Sequence, residues 1–236
     1  VTSAPTHRDP PGLELARHLE RQAATLTEGA RKLLSWLASS LVRRGWVQAI
    51  DKALDAAAEA TELDKTALQT ALDELVAVGL VELDGTRIAS IAGLLSTRPT
   101  GVDFAMADGH SVHLLGPLAA LAAAQALQSA GEIRATCAVT GQRLALGCDT
   151  SGIASRHPET ICVFLPAWDG QASLTTSAAA GGFFADDDAL GKWQEDKGDP
   201  AGMPMTSFLF PMAAVELGQS LGHALETTLN HLPDFN

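Results

Sequence analysis

Residues 112–141 read VHLLGPLAALAAAQALQSAGEIRATCAVTG, and this stretch constrains the fold more than any other. Val112 to Leu115 is a short apolar run that Gly116-Pro117 breaks. Proline suits the first position of a helix, because the N–H it lacks would find no partner there. The pattern predicts a strand, then an Ala-rich helix from Pro117 to about Ser129, stopped at Gly131. A second strand, Glu132–Val139, leads through a Thr140-Gly141 turn into a third, Arg143–Cys148.

Around this centre the chain divides into three parts. Residues 1–11 (VTSAPTHRDPP) carry three prolines and no periodicity, which predicts a disordered tail. Residues 12–98 predict a helical, winged-helix-like module. A modest helical pattern runs from Leu13 to Leu26, and residues 28–44 repeat it with Leu33, Leu34, Leu37 and Leu41 on one face. A further helix at about Val47–Ala58 precedes one that Asp64 can cap, with Leu68, Leu72, Leu75 and Val76 as its apolar stripe. A hairpin then turns on Asp84-Gly85. Residues 99–236 predict a core of antiparallel or mixed strands with flanking helices, so the fold class is α+β. In it, 101–107 and 110–115 form a hairpin across Asp108-Gly109, 150–159 a loop, Thr160–Leu165 a strand and Gln171–Ser177 another. After Gly198–Pro204, read as a loop, Met205–Phe210 is β-like and Pro211 opens the last helix.

Composition narrows the partners. Hydrophobic residues make up 46% of 236, enough for a real core. The net charge of −12 disfavours nucleic acid and anionic membrane. No stretch approaches the ~20 apolar residues of a membrane span, and no basic-then-apolar leader is present, so the expected location is cytoplasmic. A winged helix raises the possibility of a DNA-binding regulator. The would-be recognition helix, 64–78, sets Asp64, Asp73 and Glu74 against Lys65 alone, and phosphate binding rests on Lys and Arg. No specific nucleic-acid partner is expected.

The three cysteines, Cys137, Cys148 and Cys162, sit in β-like runs and read as buried small hydrophobes. There is no C-x-x-C pair, EF-hand loop, phosphate-binding glycine loop or G-x-S-x-G elbow, and neither a metal nor a cofactor is expected. Asp186-Asp187-Asp188 precedes a helix at 189–195, where acids favour capping and the helix dipole.

The strand–helix junction, the spacing from it to CAVTG, the lead-in GLLSTRPTGVDFAMADGHSVHLL and the late ELGQSLGHAL together resemble the alkylmercury (organomercurial) lyase family over roughly residues 30–232. The resemblance implies that family's core, and a reaction in which two cysteines and an aspartate protonate a carbon–mercury bond. It places the first cysteine on Gly116, the aspartate on Ala119, and the second cysteine near Ala178, none of which can bind mercury or move a proton. It also places on Cys137 a family cysteine that looks structural.

What is implied is a repurposed member of that fold without organomercurial lyase activity. It would act on an apolar organic small molecule, as in a lyase- or cyclase-type step of specialised metabolism. A non-catalytic small-molecule-binding protein and a ligand-sensing winged-helix regulator are the alternatives. The expected binding residues are Leu115, Gly116, Pro117, Ala119, Ala178, Ala179, Phe183, Phe184 and Met205, around a cavity between the Pro117 helix and the 178–184 segment. His113, Asp108 and Asp186 are the candidate acid–base groups, chosen for proximity to that cavity.

Overall fold

The computed structural model describes residues 11–47, 49–168, 170, 173–206 and 215–223. Most of the tail 1–11, most of Met205–Phe210 and both ends of the last helix lie outside these residues.

The N-terminal part is helical: α1 (Pro11–Thr25), α2 (Glu28–Arg44), α3 (Ile50–Thr61) and α4 (Lys65–Ala77). Thr27 caps α2, its hydroxyl accepting from the Ala30 N–H at 3.2 Å. Gly45 ends that helix with φ 73°, its N–H donating to the Leu41 carbonyl. Leu33, Leu34, Leu37 and Leu41 are buried as their spacing requires, and each such side chain contributes roughly 1.5–3 kcal/mol on leaving water. Asp64 caps α4, accepting from Ala67 N at 2.8 Å. Leu68, Leu72 and Leu75 are buried against α2 and α3, whereas Val76, expected in the same stripe, is exposed.

A hairpin follows, β1 (Val81–Asp84) and β2 (Arg87–Ile91), and it is not free-standing. Through β3 (Leu95–Ser96) it continues into β4 (Val102–Met106) and β5 (Ser111–Leu114), and then past α5 (Pro117–Ala126) into β6 (Gly131–Thr136), β7 (Arg143–Asp149) and β8 (Gly152–His157). These make one antiparallel eight-stranded sheet in the order β1-β2-β3-β5-β4-β6-β7-β8, which runs without a break across residue 98. A smaller sheet, β10-β9-β11, is built from β9 (Cys162–Pro166), β10 (Gly182–Phe184) and β11 (Gly202–Met205). Of two further helices, α7 (Asp187–Lys197) packs on this small sheet and α6 (Leu174–Ala179) lies against α5, and 215–223 is helical.

The large sheet has two unlike faces. Val112, Phe104, Ile133 and Leu146 pair across β5, β4, β6 and β7 and are all buried. One residue along, His113, Asp103, Arg134, Ala145 and His157 form a matching row on the opposite face. The period of two makes one row core and the next polar. Helix α5 packs on the core face and also touches β9 of the small sheet, so it is buried all round, with Gln125 the partial exception. A helix apolar on every side has nowhere else to go. Residues 215–223 lie close against it, since a Cβ on Gly218 would meet the Leu121 carbonyl at 2.6 Å.

Three expectations are corrected. The strand expected at 171–177 is a helix from Leu174, with the Ser173 hydroxyl accepting from Thr176 N at 3.1 Å at its start; the β-branched Thr175 and Thr176 suggested a strand, and the small residues beyond them favour the helix. The loop expected at 150–159 contains β8, whose residues show no alternation because this edge strand is partly or fully exposed on both faces. The loop expected at 198–204 contains the start of β11. Pro204 is tolerated there because β11 pairs with β9 alone, and the bare Gly202 lets the Phe164 ring come close.

Candidate functional site

Where β5 ends and α5 begins, the chain opens a cavity of about 590 Å³. Its floor is the strand–helix junction Leu115, Gly116 and Pro117. Gly116 has φ 145° and ψ −164°, a conformation essentially confined to glycine. A side chain there would strain the backbone, so this position is small for a conformational reason. Phe183, Gly181 and Gly182 form an opposite wall, and Ala138 and Cys137 a third. Polar groups gather on the side facing the large sheet: Ser96, Arg98, Thr100, Thr136 and Thr175.

These polar groups are held in place. The Ser96 hydroxyl donates to the Arg98 carbonyl at 2.8 Å and accepts from the Arg98 N–H at 3.1 Å. The Arg98 guanidinium is paired with Asp84 of the β1–β2 hairpin. Thr175, at the start of α6, reaches the Ser90 hydroxyl at 3.3 Å, and its N–H meets the Glu82 carboxylate. Helix α6 therefore roofs the β1–β2 end of the polar face, and the cavity lies beside that roof.

Cys137 follows β6 directly and is only 2% exposed, yet it lines the cavity. Burial pushes its thiol up, but hydrogen bonds to the sulfur outweigh that and hold it below its ordinary value. Among them, Thr140 N and Ala185 N each donate to the sulfur at 3.4 Å. In the sequence Cys137 reads as a packing residue, and nothing there marks Ser96, Thr100, Thr136 or Thr175. The alternation of β6 marks where the strand ends, though not that its end faces a void.

Of the expected binding residues, the structure brings Leu115, Gly116, Pro117 and Phe183 together around the cavity. Ala119 is buried one turn into α5, Phe184 packs on Trp193 with ring centroids 5.2 Å apart, and Met205 is buried where β11 pairs with β9. None of these three lines the cavity. Ala178 and Ala179 belong to α6, and their side chains fall outside the described residues.

The acid–base candidates lie apart from one another and from the cavity walls. His113 meets Asp103 across the strand pair, its Nδ1 2.5 Å from the carboxylate. Asp108 sits on the exposed β4–β5 turn, where the His110 backbone N–H and ring hold its carboxyl below the usual range. It is a carboxylate at neutral pH, not a proton donor. Asp186 caps α7, accepting from Ala189 N at 2.8 Å. Among the described residues, no three His, Cys, Asp or Glu side chains cluster to hold a metal ion. No helix among them is long and apolar enough to cross a membrane.

These features define an α+β protein with a cavity of small-molecule size where the end of a large antiparallel sheet meets a fully buried helix. The chain belongs to the alkylmercury lyase family, whose model matches residues 95–221, more than half of its length. Its fold is similar to that in a crystal structure of the mercury-bound form of MerB2, with a TM-score of 0.70 at 20% identity over 90% of this chain and 98% of that one. No curated protein matches the sequence.

Proposed function

We propose that this member of the alkylmercury lyase family binds a non-mercury organic small molecule in the cavity at Gly116 and does not cleave carbon–mercury bonds. The observation that carries this reading is the chemistry of the walls. Among the described lining residues there is one thiol, Cys137, and no carboxylate. Cleaving a carbon–mercury bond needs soft ligands for the metal and a proton donor beside them. Leu115, Pro117 and Phe183 instead offer apolar surface, with threonine and serine hydroxyls to orient a guest. A mostly apolar pocket with a few fixed polar groups, of several hundred Å³, is the usual form of a small-molecule site. If the guest is also transformed, as in a lyase- or cyclase-type step, the groups at hand are Cys137 and these hydroxyls, since the described lining residues include neither histidine nor carboxylate.

Two measurements test this. Native mass spectrometry of the purified protein is expected to show a co-purifying organic mass, lost in an Ala138→Phe variant whose exposed new ring fills the cavity edge without unfolding the protein. Protonolysis of a simple alkylmercury compound in excess thiol is expected to stay at the buffer rate. Turnover clearly above buffer would overturn the proposal, as would a bound guest indifferent to Ala138→Phe.

A further inference from the structure

The 590 Å³ cavity is not closed. At Gly101 and Thr136 it meets a second hollow of about 480 Å³ on the polar face of the large sheet, and both residues border both spaces. Gly101 borders open space, since a Cβ placed on it would touch nothing within 4 Å. The second hollow runs over the row that pairs Asp103 with Arg134, Arg134 with Ala145, and Ala145 with His157, one residue from each of β4, β6, β7 and β8. The short Ala145 side chain leaves the row sunken between Arg134 and His157.

The charges along this hollow are unevenly committed. Its two carboxylates are already engaged: Asp103 lies against His113, and Glu132 accepts from Arg134 Nε at 2.7 Å. Arg143, exposed at the start of β7 and paired in register with Thr136, makes no ion pair among the described residues. Of the two arginines bordering this hollow, Arg134 is paired with Glu132, and Arg143, beside Thr136, has no carboxylate partner among the described residues.

We infer that the guest is an amphipathic organic carboxylate, its apolar body in the cavity over Leu115, Pro117 and Phe183 and its carboxylate laid across Thr136 onto Arg143. This rests on the small-molecule reading above and adds the class of molecule to it. A guanidinium offers a planar pair of donors that matches a carboxylate's two oxygens. The Thr136 hydroxyl, paired with Arg143 across the strands, supplies a further donor on the same face.

The test uses the full chain and three probes of equal length, decanoate, decanol and decylamine, titrated calorimetrically at fixed ionic strength. The expected order places decanoate first, with decanol roughly 10- to 100-fold weaker, as the loss of a hydrogen bond to a charged group implies. Arg143→Gln is a surface change and should weaken decanoate by a similar factor while leaving decanol binding and the thermal midpoint unchanged. Decanol binding as tightly as decanoate, or decanoate binding unmoved by Arg143→Gln, overturns the carboxylate assignment and leaves the apolar cavity reading intact. Tightest binding of decylamine overturns it too. If none of the three binds, the cavity reading itself fails and this inference falls with it.

Discussion

Cys137 and Cys148 lie at opposite ends of the β6–β7 hairpin, and their surroundings push their thiols in opposite directions. Cys137 has N–H donors on its sulfur. Cys148, inside β7, has burial and the neighbouring Asp149 carboxylate against it, and its thiol is pushed up to about 11 from 9.0. The folded protein therefore keeps a proton on Cys148 that the unfolded chain releases near pH 9. The resulting contribution to stability is fully present below pH 9 and is lost as pH rises towards 11, on the order of 2–3 kcal/mol. Urea unfolding at pH 8.5 and 10.5 should show a drop of about 1.5–2 kcal/mol in excess of the drop in Cys148→Ala. Equal drops in the two proteins would mean that Cys148 ionises freely in the folded state.

At the scale of elements, the cavity exists because rigid pieces approach closely around it. Gly181 lies where β10 begins beside β9, and a Cβ there would meet the Phe164 carbonyl at 2.7 Å, Pro166 Cδ at 2.9 Å and Pro117 Cγ at 3.2 Å. A backbone oxygen and two proline rings have little room to give. Gly181→Ala should therefore destabilise the protein by about 1–3 kcal/mol, the usual cost of overpacking, read as a fall in the urea midpoint at unchanged slope. An unshifted midpoint would show that the approach is looser than described. The same element shows why spacing misled for α6. Thr175 and Thr176 suit a strand locally, but the Ser173 cap and the placement of Thr175 on Glu82 and Ser90 make a helix the better-satisfied choice.

For the whole molecule, the distribution of charge bears on partners. Glu74 of α4 accepts from the Thr27 N–H at 2.7 Å and the Thr27 hydroxyl at 2.6 Å, so an acid on the would-be recognition helix ties α4 to the start of α2. The hairpin that would serve as a wing is continuous with the large sheet. With net charge −12 and so few cations on α4, a mobility-shift assay at moderate salt should show no discrete complex with DNA from upstream of the coding region. A sequence-dependent complex would return the regulator reading to the front.

Much of this molecule follows from local chemistry that a sequence carries in full. The Gly116-Pro117 junction, the Asp64 and Asp186 caps, the leucine stripe of α2 and the strand alternation from Val102 to Asp149 each depend on neighbours within a few residues. A cavity between the Pro117 helix and the 178–184 segment is what the junction and the run of small residues suggest, but they do not fix its walls: Gly181, Gly182 and Phe183 border it, whereas Ala119, Phe184 and Met205 do not. What local pattern could not supply is anything set by long-range pairing. The edge strands β8 and β11 have no alternation to read, since their form comes from partners on one side only. Cys137 resembles any core cysteine until β6, the Gly181–Phe183 segment and the start of α5 are brought together. The row from His113 to His157 is assembled from four separate strand pairings. The sequence by itself determined which residues are apolar, capped or turning. Only the tertiary structure decided which strand ends face a void, because a void is bounded by segments tens of residues apart.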